Sequence, residues 1–122
     1  MNTIVQFINE NYAESISGGE VAALVKMSES RFSRYFSKAT DSTFTGYVNR
    51  VRVHKACELL MHSDAQISSI CYAVGFNNVA NFNRRFLEVK GMAPREFRRQ
   101  AMERLGGGVA PSKQSVLVRI DP

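Results

Sequence analysis

The chain contains an internal repeat with an offset of 49 to 50 residues, and this repeat constrains its fold more than any other feature. Side chains 49 residues apart match: the second copy has Ile70, Cys71, Val74 and Phe76 where the first has Val21, Ala22, Val25 and Met27. Positions 50 residues apart continue the match, because Phe32, Arg34 and Phe36 recur as Phe82, Arg84 and Phe86. Each copy has the pattern of a short helix, a tight turn and a second helix, which is the outline of a helix-turn-helix unit.

Apolar residues with a helical period run through most of the chain, and residues typical of helix ends separate these segments. The expected N-caps are Ser17, Ser28, Thr43 and Asn78, and Pro94 is expected to open the last helix. Gly75 and Gly91 are expected to end two helices, since glycine adopts the left-handed conformation at little cost. We therefore predict an all-α fold of seven helices, which form two helix-turn-helix subdomains joined by a long linker helix.

One helical domain is predicted to span residues 1–105. Its parts are a first helix-turn-helix at about 18–39, a linker helix at about 43–62, a second helix-turn-helix at about 66–90 and a closing helix at about 94–104. Three consecutive glycines at 106–108 cannot hold a helix, so the domain is expected to end there. Residues 106–122 are predicted to form a flexible tail, because the apolar segment at 116–120 has no partner strand within the chain.

The charge of the chain is divided unevenly along its length. The first 30 residues hold one base and four acids, a net charge of −3, whereas the whole chain has a net charge of +5. Residues 31–122 therefore carry +8, which favours a polyanionic partner. With 44% apolar residues, the chain can bury a core. It has no apolar run of the roughly 20 residues that a membrane span needs and no secretion signal, so we expect a cytoplasmic protein without membrane contact.

The second helix of each copy has an exposed face unlike that of an ordinary solvated helix. When Phe32, Tyr35 and Phe36 are placed in the core, the residues left exposed are Ser30, Arg31, Ser33, Arg34 and Ser37. The matching face of the second copy carries Ala80, Asn81, Asn83, Arg84 and Leu87. Asn can form two hydrogen bonds with adenine and Arg two with guanine, so these faces are typical of base reading. The competing interpretation is a pair of helical hairpins that serve only as core.

Metal binding and catalysis find little support in the sequence. The residues that raise the question of zinc are His54, Cys57, His62 and Cys71. They lack the paired close spacing of a structural zinc site, and Cys57 falls on an apolar helix face beside Leu60. The chain also lacks a glycine-rich phosphate loop and a convergent Ser/His/Asp set. We therefore expect the protein to have no enzymatic activity, no cofactor and no metal site.

Three segments of the second half carry a specific resemblance. They are Gly75-Phe76, Asn81-Phe82-Asn83-Arg84-Arg85-Phe86 and Gly91-Met92-Ala93-Pro94-Arg95-Glu96-Phe97-Arg98. In these segments the chain resembles the AraC/XylS family of bacterial transcription regulators, and the likeness covers about Ile4 to Gln100. The resemblance implies a seven-helix domain whose two helix-turn-helix units each place their second helix in the major groove. The two helices would lie in successive turns on one face of the DNA.

The resemblance also implies which side chains contact DNA. The expected base-reading residues are Ser30, Ser33 and Arg34 in the first unit and Asn81, Asn83 and Arg84 in the second. Further candidates for base or phosphate contact are Arg31, Ser37, Lys38, Arg50, Asn78, Val79 and Ala80. Val79 and Ala80 are apolar, so they are expected to touch a thymine methyl group or nothing. Lys26 stands where the family usually has glycine, and a left-handed conformation would cost lysine about 1 kcal/mol.

The resulting expectation is a bacterial transcription activator that reads double-stranded DNA as a monomer and contacts RNA polymerase. The alternative is a helical protein-interaction module that contacts RNA polymerase or another regulator without reading DNA. Many members of the family carry a ligand-sensing and dimerising domain before this one. We therefore expect the chain to be a C-terminal fragment of a longer regulator rather than a complete short regulator.

Overall fold

A computed structural model of the chain describes residues 1–104, which form seven α-helices. In chain order they are α1 (Asn2–Asn11), α2 (Gly18–Leu24), α3 (Glu29–Thr40), α4 (Phe44–His62), α5 (Ile67–Ala73), α6 (Val79–Lys90) and α7 (Pro94–Arg104). The predicted all-α fold with two helix-turn-helix units is confirmed. The flexible tail expected at 106–122 lies outside the described residues. None of the helices within 1–104 is both long and apolar enough to cross a membrane.

Four helices begin where the capping residues predict. At each start, the side-chain oxygen of the N-cap accepts a hydrogen bond from the backbone N–H three residues further on. These bonds measure 3.1 Å at Ser17, 3.2 Å at Ser28, 3.0 Å at Thr43 and 2.7 Å at Asn78. The entry points of α2, α3, α4 and α6 are therefore set by local side-chain chemistry.

The turns of the two helix-turn-helix units share a residue with positive φ and a backbone hydrogen bond. Lys26 and Gly75 occupy equivalent positions and both have positive φ, 61° and 111°. In each copy the next residue donates its backbone N–H to the carbonyl five residues before it, over 2.9 Å in the first turn and 3.1 Å in the second. The first turn thus adopts the left-handed conformation with a lysine, at the cost that a Cβ imposes there.

The core consists of two hydrophobic clusters, one in each helix-turn-helix unit, and α4 contributes to both. The N-terminal cluster contains Phe32 and Phe36 with residues of α1, α2 and the start of α4. The C-terminal cluster contains Phe82 and Phe86 with residues of α5, α7 and the remainder of α4. With 19 residues, α4 is about 28 Å long, and its two ends pack in different clusters. Tyr12, just after α1, packs against both clusters.

Candidate nucleic-acid interface

The orientation of α3 is set by two buried aromatic side chains. Phe32 is 1% exposed and Phe36 is 0% exposed, and their ring centroids lie 5.6 Å apart. The edges of Phe44 and Tyr47 on α4 complete this aromatic group. Opposite the rings, the exposed predicted residues are Ser30, Arg31, Ser33, Arg34 and Lys38, while Ser37 is half-buried. The structure thus presents the predicted polar face of α3 to solvent.

The same arrangement orients α6. Phe82 and Phe86 are fully buried with ring centroids 5.8 Å apart, and Phe76 and Phe97 pack against them. The exposed predicted residues here are Asn78, Ala80, Asn83 and Arg84, and Leu87 on the same face is 54% exposed. Val79 and Asn81 are half-buried, and Val79 packs against the C-terminal cluster. The outward face of α6 is therefore narrower and more apolar than that of α3.

Three of the predicted polar side chains on α6 and at its N-cap already have partners within the protein. The side-chain oxygen of Asn78 is engaged in the N-cap of α6. The side-chain oxygen of Asn81 accepts a hydrogen bond of 3.2 Å from Arg84 Nη2. Arg34, at the equivalent position of α3, has no hydrogen-bond or ion-pair partner among residues 1–104. Arg84 is thus held in place before any ligand binds, whereas Arg34 is not.

Positive charge on the two faces is mostly free of carboxylates. On α7, in contrast, Arg99 forms ion pairs with Glu96 and Glu103. Its hydrogen bond to Glu96 lowers the pKa of that carboxyl and raises the pKa of the guanidinium. The cations with no carboxylate within ion-pair distance in the described part of the chain include Arg31, Arg34, Lys38 and Arg84. The field at the predicted faces is therefore attractive to an anion.

Arg50, the predicted contact outside the repeated helices, is half-buried on α4. Its guanidinium lies 6.0 Å from the ring centroid of Tyr47, within the range of a cation–π contact. The structure therefore places Arg50 on the linker helix, where it packs over an aromatic neighbour.

Two arginines that the sequence did not single out as structural have long-range partners. Arg52 on α4 donates from Nε to Tyr12 O over 2.7 Å and from Nη2 to Glu14 O over 2.9 Å. Arg98 on α7 donates from Nε to Leu60 O and from Nη2 to Ser63 O, each over 3.1 Å. Each guanidinium thus binds carbonyls at or just beyond the C-terminal end of an earlier helix. Burial lowers the pKa of Arg52.

A cleft of about 570 Å³ lies between the loop that joins α1 to α2, helix α4 and the second helix-turn-helix unit. Its lining includes Ile16 of that loop and Arg52 of α4, and on the other side Tyr72, Gly75, Asn81 and Arg85. Asn81, predicted as a base reader, faces this cleft. Arg85 beside it is paired with Glu88 over 3.0 Å.

The candidate zinc ligands are dispersed. Cys57 and Cys71 are both fully buried in the C-terminal cluster, and burial raises the pKa of the Cys57 thiol to about 12. His54 is 7% exposed on α4. Within residues 1–104, no three His, Cys, Asp or Glu side chains are grouped so that they could hold a metal ion.

Known proteins share both the sequence pattern and the fold. A family model described as a helix-turn-helix domain matches residues 21–100. The transcriptional activator RhaS of Klebsiella pneumoniae is 32% identical over 98 residues, which are 80% of this chain and 35% of RhaS. The chain therefore spans about a third of the length of the curated relatives that it matches.

Two solved structures are similar to this fold. The DNA-binding domain of AdpA, solved with a target DNA, has a TM-score of 0.79 and 25% identity, with 84% of this chain and 93% of that one covered. A transcriptional regulator of Chromobacterium violaceum, described as containing an AraC-type DNA-binding domain, has a TM-score of 0.75 and 26% identity. There the match covers 80% of this chain and 88% of the regulator.

Proposed function

Because the chain belongs to the AraC/XylS family of transcription regulators and carries a sequence-specific DNA-binding domain, we propose that it reads double-stranded DNA with α3 and α6 in successive major grooves. The major groove admits an α-helix, and one helical turn of about 34 Å separates two grooves on the same face. The 19-residue α4 joins the two units.

One observation carries this proposal: two equivalent helices each bury a pair of phenylalanines and expose Ser, Asn or Arg on the opposite face. Arg34 and Arg84 are exposed at the same position of the repeat. A guanidinium can bind the O6 and N7 atoms of guanine together, and Asn83 could bind adenine in the same bidentate way. Ordinary solvated helix faces carry mixtures of Glu and Lys instead.

The proposed base-reading residues are divided between the helices, with Ser30, Ser33 and Arg34 on α3 and Asn81, Asn83 and Arg84 on α6. Asn81 is half-buried, and its hydrogen bond to Arg84 supports a role in aiming that guanidinium. Exposed Arg31 and Lys38 would bind phosphates, which fix the register of a protein on DNA without reading its sequence. Exposed Ala80 and half-buried Val79 would touch a thymine methyl group at most.

The proposal extends to the activity of the whole protein. RhaS is named as a transcriptional activator, and we assign activation to this protein by that similarity, with contact to RNA polymerase and a place in the cytoplasm. We assign no catalytic activity, no cofactor and no metal. A chain with two different reading helices needs no second copy on the DNA, so we assign monomeric binding.

The test is selection of bound sequences from a random double-stranded DNA pool, followed by titration of the selected site at several salt concentrations. We expect an enriched motif and an affinity that falls by about tenfold or more between 50 and 200 mM salt, because each phosphate contact releases counterions. The matched control is the double variant Arg34→Ala with Arg84→Ala, which should bind the selected site more weakly and enrich a motif that has lost the preference at two base positions. A wild-type chain that enriches no sequence, or binds with no dependence on salt, would leave the protein-interaction module as the better account.

A further inference from the structure

The Arg52 side chain lies between the loop that joins α1 to α2 and the turn of the second helix-turn-helix unit, and it contacts both. It extends from α4 to the carbonyls of Tyr12 and Glu14, which follow α1, and α1 packs with α2 and α3 in the N-terminal cluster. On its other side, its guanidinium carbon lies 5.8 Å from the ring centroid of Phe76, in the turn of the C-terminal unit. Tyr12 itself packs against both hydrophobic clusters. The guanidinium thus links the end of α1 to the turn before α6.

The glycine in the second turn makes room for this link. A Cβ at Gly75 would lie 2.7 Å from Arg52 Nε and 2.7 Å from Tyr12 O, closer than real Cβ contacts allow. The backbone of the C-terminal unit therefore approaches both the guanidinium and the carbonyl that it binds. Lys26, at the equivalent position of the first turn, is exposed to solvent. Of the two turns, the second is therefore the one whose backbone must approach the Arg52 side chain closely.

We propose that Arg52 is a positioning residue that fixes the two reading helices relative to each other and so sets the spacing between the two half-sites that the protein accepts. This inference rests on the proposed DNA-reading function. A cleft of about 570 Å³ lies at this point between the α1–α2 loop, α4 and the second unit. Two charge-assisted hydrogen bonds and a cation–π contact across the floor of the cleft would resist hinge motion there.

The contacts of Arg52 should control which number of base pairs between the two half-sites the protein accepts. Each base pair added between two half-sites moves the second by about 3.4 Å and rotates it by about 35° around the DNA axis. A rigid pair of units can bind well at one spacing only, whereas a hinged pair can follow the change. Loss of the link should therefore leave recognition of each half-site intact and broaden the range of spacings.

The first experiment uses the selected DNA site with its central spacer changed by one or two base pairs in either direction. We expect wild type to prefer its optimal spacing over a one-pair change by about fivefold or more, a loss on the scale of one mismatched base pair. For Arg52→Met, which keeps the aliphatic stem, the preference should fall to about twofold, with binding to a single half-site unchanged. Arg52→Lys keeps the charge but not the planar pair of donors, so its spacing preference should lie between those of wild type and Arg52→Met.

Arg98→Met is the matched control, because it removes the same pair of guanidinium–carbonyl bonds from within the C-terminal half. We expect it to lower thermal stability while it keeps the wild-type spacing preference. A folded Arg52→Met or Arg52→Lys protein that also keeps the wild-type preference would overturn the inference. A wild-type chain that binds no DNA would instead overturn the proposed function on which the inference rests.

A second experiment tests the link without DNA. Spin labels at Ala23→Cys on α2 and Ala73→Cys on α5 would report the distance between the units, since both positions are exposed and the native cysteines are buried. We expect a narrow distance distribution for wild type and Arg98→Met and a clearly broader one for Arg52→Met. Equal widths in all three proteins would show that Arg52 does not restrain the units.

Discussion

Arg34 and Arg84 occupy equivalent positions of the repeat, yet their surroundings differ. Arg84 is held by Asn81, whereas Arg34 has no such partner in the described chain. We expect Arg34→Ala and Arg84→Ala each to weaken specific binding by about 1–3 kcal/mol and to relax the preference at one base position. The larger loss should come from Arg84, because a side chain held in place loses less entropy on binding. Titration of the selected site and repeated selection with each variant measure both effects.

The control at this scale is Arg99→Ala, which removes the same charge from a side chain that pairs with Glu96 and Glu103. Its selected motif should equal that of wild type. If Arg34→Ala or Arg84→Ala also retains the full motif, that arginine does not read a base.

At the scale of the helix-turn-helix element, both turns have a residue with positive φ, but they leave different room for a side chain there. Gly75→Ala should lower the free energy of unfolding by about 2–4 kcal/mol, since it adds left-handed strain and a clash with backbone atoms of Tyr12 and Ala13. Gly91→Ala tests the strain alone, because a Cβ at Gly91 would meet no atom within 4 Å apart from its neighbours in the chain. This variant should lower the free energy of unfolding by about 1 kcal/mol.

Lys26→Gly should raise the free energy of unfolding by about 0.5–1 kcal/mol, because the relief of strain exceeds the added entropy of the unfolded chain. Urea denaturation of the three variants provides these values, and equal losses for Gly75→Ala and Gly91→Ala would contradict the close approach.

At the scale of the whole molecule, the two reading faces differ in composition. The face of α3 carries Ser33 and Arg34, whereas that of α6 carries Ala80, Asn83 and Arg84. Two different faces in one chain should select a site near 20 base pairs without two-fold symmetry, bound by one protein molecule. The molar mass of the complex, measured by light scattering, together with the selected motif, tests this. A palindromic site occupied by two chains would show that the monomer is not the binding unit.

The sequence alone determined the helices and the outward faces, because the interactions that specify them are local. Each N-cap bond joins residues three positions apart, and each aromatic pair lies one turn apart on its own helix. The exposed positions of Arg34, Asn83 and Arg84 follow from the same period. Tyr35 shows the limit of that argument, since the pattern places it in the core but its side chain is 37% exposed.

Only the tertiary structure decided how the two units are joined. Arg52 and its carbonyl partners are 38 and 40 residues apart, and those of Arg98 are 35 and 38 residues away. No periodicity within a helix encodes such contacts, and a basic side chain on a linker helix has the same local pattern whether it binds phosphate or a carbonyl. The apolar residues of α4 carry a similar ambiguity, because its two halves bury different faces in different clusters. These roles arise when distant segments meet, so they become visible only in the folded chain.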